Sequence, residues 1–154
     1  MKPKLYILIL FVLGFLPAVA KHITGGEVIY RFISSDATSR RYSVTLILFR
    51  DENCLAPCAD MPATVSLGIF NYDNGSLYNG YRSVTMDDIR TLPLNPLPRC
   101  IENPPVLTYT AGFYNFEISL PNNNNGYTIT YQTCCRIDNI ENTSNRMGAT
   151  YVGQ

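Results

Sequence analysis

Apolar and polar residues alternate with period two through most of this chain. Only an extended strand puts every second side chain on one face, so the pattern commits the chain to β structure. Residues 27–33 bring Val28, Tyr30 and Phe32 together, and residues 41–49 set Tyr42, Val44, Leu46 and Leu48 against Arg41, Ser43 and Thr45. Residues 63–70 oppose Ala63, Val65, Leu67 and Ile69 to Thr64, Ser66 and Gly68. Residues 113–120 oppose Tyr114, Phe116, Ile118 and Leu120 to Asn115, Glu117 and Ser119, and residues 127–132 alternate Tyr127, Ile129 and Tyr131 with polar positions. Weaker strand signals lie at 80–85, 106–110 and 149–152. No apolar stripe keeps helical spacing for three turns; the best is a single turn near Met86 to Arg90.

The turn residues agree. Asp73-Asn74-Gly75 between apolar flanks is a tight hairpin signal, because Asn and Gly accept the positive φ such turns need. Pro121, the run Asn122 to Asn125 and Gly126 form another reversal. Short strands joined this way predict an all-β fold, an antiparallel Ig-like β-sandwich, as one domain over residues 21–154. Residues 91–105 hold five of the ten prolines, and each Pro removes a ladder donor. That segment reads as one long Pro-rich connection, an extended Greek-key crossover between sheets, with a polyproline ligand as the functional alternative. Ala111 to Phe116 looks like a tyrosine corner built on Tyr114, but Phe116 stands where that motif carries Cys, which favours a plain core Tyr. Gly25-Gly26 reads as a flexible lead-in to the first strand.

Residues 1–20 have a different logic. Lys2 and Lys4 precede the apolar run Leu5 to Leu16, then Pro17 and the small-residue site Ala18-Val19-Ala20. These are the three parts of a signal peptide cleaved after Ala20; the run is too short for a retained membrane anchor. Its removal takes away two basic groups and leaves 134 residues with a charge of −2. No later segment approaches spanning length, so no membrane span is expected after cleavage. The expected location is secreted or at the outer cell surface, or the periplasm if no sorting domain follows. Charged residues are 16% of the chain in equal numbers of each sign, against 46% hydrophobic, which excludes a disordered tail and a basic nucleic-acid binder.

Export turns the five cysteines, Cys54, Cys58, Cys100, Cys134 and Cys135, into disulfide candidates. Cys54 and Cys58 bracket a short turn and form an obvious local pair; Cys100 then has Cys134 or Cys135 as partner, and one thiol is left over. Zinc bound by Cys54, Cys58, Cys134 and Cys135 is disfavoured by the adjacent ligands, the absence of a C-x-x-C repeat and the oxidising compartment. The only His, His22, stands at the start of the mature chain with nothing to position it as a base for a thiol.

Chemistry elsewhere is sparse. Asp87-Asp88 are neighbours whose side chains diverge in an extended chain, so they do not form a two-carboxylate site alone. Asp51, Glu52, Asn53 and Asp60 gather oxygens around the cysteine loop, a calcium possibility without a spaced D-x-D-x-D-G motif. Asn74-Gly75-Ser76 and Asn142-Thr143-Ser144 match the glycosylation triplet, which matters only in a eukaryotic host. Tyrosines, 11 in all, suit sugar stacking, yet Tyr30, Tyr42, Tyr114, Tyr127 and Tyr131 fall on the expected core side. No catalytic residue and no cofactor is expected.

Five stretches carry a family resemblance: His22 to Glu27 with Tyr30; Arg41-Tyr42-x-Val44-Thr45-Leu46-x-Leu48-Phe49-Arg50-Asp51 with Cys54; Gly68-Ile69-Phe70; Gly126-Tyr127-x-Ile129-x-Tyr131-Gln132-x-Cys134-Cys135-Arg136; and Gly148 to Tyr151. Together they resemble the N-terminal module of large exported surface proteins of Bacteroidota, the gliding-motility-associated or PKD-domain-containing type. The resemblance implies a secreted or cell-surface β module, structural or adhesive and without catalysis. It also implies further domains beyond residue 154, which with an extracellular glycan or protein ligand are the expected partners. Such a domain would be a source of a partner for the fifth cysteine. The alternative expectation is a carbohydrate-binding module with a loop calcium site.

Overall fold

The computed structural model describes residues 23–53, 60–93, 106–134 and 147–154. Among the described residues eight strands follow one another: β1 Ile23–Ser35, β2 Ser39–Asp51, β3 Thr64–Asn71, β4 Leu77–Thr85, β5 Asp88–Leu92, β6 Tyr109–Pro121, β7 Tyr127–Thr133 and β8 Ala149–Gly153. They form two antiparallel four-stranded sheets, ordered β1-β2-β6-β5 and β4-β3-β7-β8. This is the A-B-E-D and C′-C-F-G order of an immunoglobulin-like sandwich, the constant-type arrangement with one strand added beside C. The five strongly alternating segments are β1, β2, β3, β6 and β7; the weak signals at 80–85 and 149–152 fall in β4 and β8.

Register explains the core. Across the first sheet the inward side chains lie in rows: Val28-Leu46-Tyr114, Tyr30-Val44-Phe116, Phe32-Tyr42-Ile118 and Ser35-Arg40-Leu120. Val65, Leu67 and Ile69 of β3 with Ile129 and Tyr131 of β7 close on them from the second sheet. Val44, Leu46, Leu48, Leu67 and Tyr114 are fully buried, each aliphatic chain contributing roughly 1.5–3 kcal/mol of transfer free energy.

Several expectations change. Tyr30 and Phe32 occupy the inward face but stay 46% and 53% exposed, because β1 and β2 run 13 residues while β7 and β8 run 7 and 5 and leave the end of the first sheet uncovered. Ala63 precedes β3 and is exposed. The single turn of helical spacing at 86–90 is a cross-sheet step, Met86 and Asp87, followed by β5, whose residues pair with Tyr109 to Phe113. A single turn cannot hold itself without tertiary support, and the free edge of β6 supplies a better partner. The signal at 106–110 contributes only Tyr109 and Thr110, the start of β6.

The proline-rich connection joins β5 to β6, neighbours within one sheet, so it is not a crossover between sheets. Its residues 94–105 lie outside the described residues. The tyrosine corner exists, but on another residue. Tyr127 opens β7 and its hydroxyl donates to the Pro121 carbonyl at 3.1 Å, back across the β6–β7 corner. Tyr114 is a core residue whose hydroxyl donates to the Pro62 carbonyl at 2.6 Å. Ile129 stands two residues after the corner tyrosine, where an antibody domain places its second Cys, and is buried.

Gly25-Gly26 is part of β1 and no flexible lead-in. A Cβ on Gly26 would come within 2.9 Å of the Ile47 carbonyl oxygen and of Leu48, and 3.2 Å from Tyr151 of β8. The glycine is a condition for β1, β2 and β8 meeting.

Candidate functional site

The sandwich has two chemically distinct ends. At one, Asp51 lies opposite Tyr109 and Tyr109 opposite Leu92, while Thr133 lies opposite Ala149. The β2–β3, β5–β6 and β7–β8 connections all leave from there, and all five cysteines fall on them. Cys134, just after β7, is disulfide-bonded. Cys54, Cys58, Cys100 and Cys135 lie outside the described residues, as do His22 and the signal segment 1–20.

The oxygen-rich group at this end is described, and its members do not converge. Asp51 Oδ1 accepts the Asn53 N–H at 2.8 Å, and Glu52 Oε1 accepts the Thr110 hydroxyl at 2.5 Å. Arg50 reaches Glu52 at 3.6 Å and Asp60 at 3.8 Å. A resident guanidinium thus lies between the carboxylates that a calcium ion would have to share. Among the described residues no three of His, Cys, Asp or Glu gather as metal ligands. Asp87 and Asp88 also part company: Asp87 accepts the Asn115 backbone N–H at 2.6 Å, and Asp88 pairs with Arg90 at 2.5 Å.

At the other end the turns β1–β2, β3–β4 and β6–β7 come together with the last residues of β8. Here the inward rows of the first sheet outrun the second and open a cleft of about 190 Å³. Tyr30, Arg40, Tyr42, Leu120, Tyr127 and Gln154 are among its walls. Alternation marked the tyrosines as inward-facing; it carries no signal for where the opposing sheet stops, so sequence reasoning counted them as core and missed Arg40.

The rings are held in place. Tyr42 meets Tyr30 edge to face at 6.1 Å and Phe32 at 6.0 Å. Tyr127 packs on Tyr78 at 5.5 Å, with its hydroxyl fixed by the corner bond. Burial first, then Tyr78 and Asp73, push the Tyr127 phenol up from its ordinary value. Tyr30 donates its hydroxyl to the main-chain oxygen of Gln154. Asn123 uses its amide on the Gly126 carbonyl and on the Asn125 N–H. Two polar groups stay unengaged: the Tyr42 hydroxyl and the Arg40 guanidinium have no partner among the described residues.

The nearest turn is locally closed. Asp36 accepts both backbone and hydroxyl hydrogen bonds from Thr38 and Ser39, which hold its carboxyl at about 2. Its charge is committed to the turn and forms no ion pair with Arg40.

Fold and geometry define an immunoglobulin-like sandwich with the bonded Cys134 at one end and an aromatic cleft at the other. Compared with protein-family models, with curated proteins and with solved structures, the chain matches none.

Proposed function

We propose that this chain is a non-enzymatic β-sandwich module that works outside the cell, secreted or at the outer surface, in a structural or adhesive role. The observation that carries the reading is the placing of all five cysteines on connections leaving one end of the sandwich, with Cys134 in a disulfide. Bridges persist in oxidising compartments, which is where a chain with a bonded Cys134 keeps its disulfide. The core needs no bridge, since Ile129 fills the position a central disulfide would use. Further domains of a longer surface protein, of the exported Bacteroidota kind, are the natural structural partners.

Peptide mapping under non-reducing conditions tests the reading on protein recovered from its native host. The expected result is a chain starting at Lys21 with Cys134 in a bridge. Five free thiols on a chain that retains residues 1–20 would refute it.

A second reading, a carbohydrate-binding module, is favoured by one observation, the tyrosine-lined cleft at the end opposite the cysteines. Binding to a glycan array would be independent of calcium, because Arg50 already serves Glu52 and Asp60. An array without signal, with and without calcium, removes this reading.

A further inference from the structure

We infer that the outer edge of β1 is a self-association surface, on which a second copy of this chain adds its own β1 antiparallel and joins the two first sheets into one. The inference goes beyond the proposed role and holds wherever the module works.

The edge comes first. β1 is the outer strand of its sheet, with β2 on one side and, among the described residues, no strand paired on the other. Along the free side every second residue turns its N–H and C=O outward, which is a template for another strand. The ladder with β2 is regular from Gly25 to Phe32, and irregularities just outside both ends delimit that stretch. The other edges are poorer templates. β5 and β8 are 5 residues each, and β4 passes through positive φ at Asn79 and Gly80, which breaks its edge. β1 has no Pro and no Lys to blunt it, and Ile29, Tyr30, Phe32 and Ile33 stand exposed close together along it.

The strand's own sequence then selects its partner. A two-fold antiparallel pairing keeps inward rows inward only when its axis passes through a residue, because a slip of one reverses the faces. With the axis at Ile29, Glu27 lies opposite Arg31 of the other copy, and Arg31 opposite the other copy's Glu27. No other such register does this. An axis at Val28 or Tyr30 sets both charges against Gly or Ile, and an axis at Glu27 or Arg31 sets like charge against like. The Ile29 register also places Ile29 against itself and Val28 against Tyr30, while Phe32 falls opposite Gly26.

Within the chain both charges are free to serve this contact. Glu27 lies opposite Ile47 and Arg31 opposite Ser43 on β2, and both are exposed and outside every ion pair among the described residues. Arg41, on the same outward face of the sheet, is already paired with Glu117. The edge therefore carries one cation and one anion at the spacing that its own reversed copy matches.

Sedimentation equilibrium of the purified, oxidised protein over roughly 10 µM to 1 mM, the range of weak assemblies, tests the inference. A reversible monomer–dimer equilibrium is expected. Glu27→Lys and Arg31→Glu should each weaken the dimer about tenfold or more, since symmetry turns two attractive pairs into two repulsive ones, and the two substitutions together should restore it. Asp73→Lys makes the same charge change in the β3–β4 turn and should leave association unaltered. Circular dichroism establishes that each variant is folded. Hydrogen exchange of β1 amides should slow as concentration rises in the parent and in the double variant, and not in either single variant. A protein monomeric throughout would overturn the inference, and β1 amides protected in that monomer would mean that a segment of the same chain covers the edge. Single variants that associate like the parent, or a double variant that stays weak, would also overturn it. So would a dimer that survives non-reducing denaturing electrophoresis and vanishes on reduction, since a cysteine would then be the link.

Discussion

Replacing Tyr114 by Phe removes one oxygen atom from the centre of the sandwich and nothing else. The ring stays, so no cavity large enough to matter is made, and the cost isolates a single hydrogen bond. Tyr114 is fully buried, and its hydroxyl donates to the Pro62 carbonyl at 2.6 Å. Loss of a net hydrogen bond costs about 1 kcal/mol, and an acceptor left buried without a donor adds a further cost of similar size, for a total of about 2 kcal/mol. For a domain of this size that lowers Tm by roughly 6–8 °C. Tyr127→Phe is the matched comparison. Its bond to Pro121 is longer, 3.1 Å, at an exposed corner where water can replace it, so about 0.5–1 kcal/mol is expected. Urea unfolding of the oxidised protein followed by far-UV circular dichroism gives both values, with an unchanged m confirming that the compared states are the same. Tyr114→Phe within about 0.5 kcal/mol of the parent, or a larger loss for Tyr127→Phe, would refute the assignment of core and corner roles.

Alkali should unfold the domain through its buried phenols. Burial holds Tyr114 up at about 12 and raises Tyr131 and Tyr127 in the same direction, so the stability of their neutral forms is complete below pH 10 and is lost as pH rises toward 12. Absorbance at 295 nm and circular dichroism should then change together above pH 10, while a full tyrosine titration at constant ellipticity would contradict the burial. Asp36 runs the opposite way: with its folded value depressed to about 2 from 3.8, its contribution is present above pH 3.8 and lost as pH falls through 2. An NMR titration that placed its midpoint at the ordinary value would mean that the turn hydrogen bonds do not persist in solution. Gly26→Ala forces a Cβ within 2.9 Å of a backbone oxygen and should cost about 1–3 kcal/mol in the same urea assay; a neutral result would show that β1 is free to move off β2.

The strands were legible because one signal, alternation, is set by the same pleat that pairs them. Val44, Leu46 and Leu48 or Tyr114 and Phe116 could be assigned to a shared face from spacing alone. Coverage was not legible, because it depends on how far the other sheet reaches; Tyr30 and Phe32 obey the alternation and still face solvent. Local signals failed where a distant partner decided the outcome. Ile89 and its neighbours form a strand because β6 has a free edge, and Gly26 is fixed by atoms of β2 and β8. The corner was sought at Tyr114, where the local residues resembled it, whereas the motif is defined by a bond back to Pro121 that only Tyr127 is placed to make. Of the site, the inward tyrosines were visible, and Arg40 was not, since a charged residue at the end of an apolar face reads as the face's termination.

The inner rows of the first sheet continue without a break from Tyr114 in the interior to Arg40 at the rim. One wall of the cleft is therefore the outermost layer of the core. A guest would meet rings already immobilised by their neighbours, so little conformational freedom remains to be lost on association. The coupling also acts in reverse. Since the cleft exists only while both sheets are assembled, occupancy raises the free energy of unfolding by mass action. Backbone amides of β2 deep in the sandwich should then exchange more slowly with solvent deuterium when the distant rim is filled.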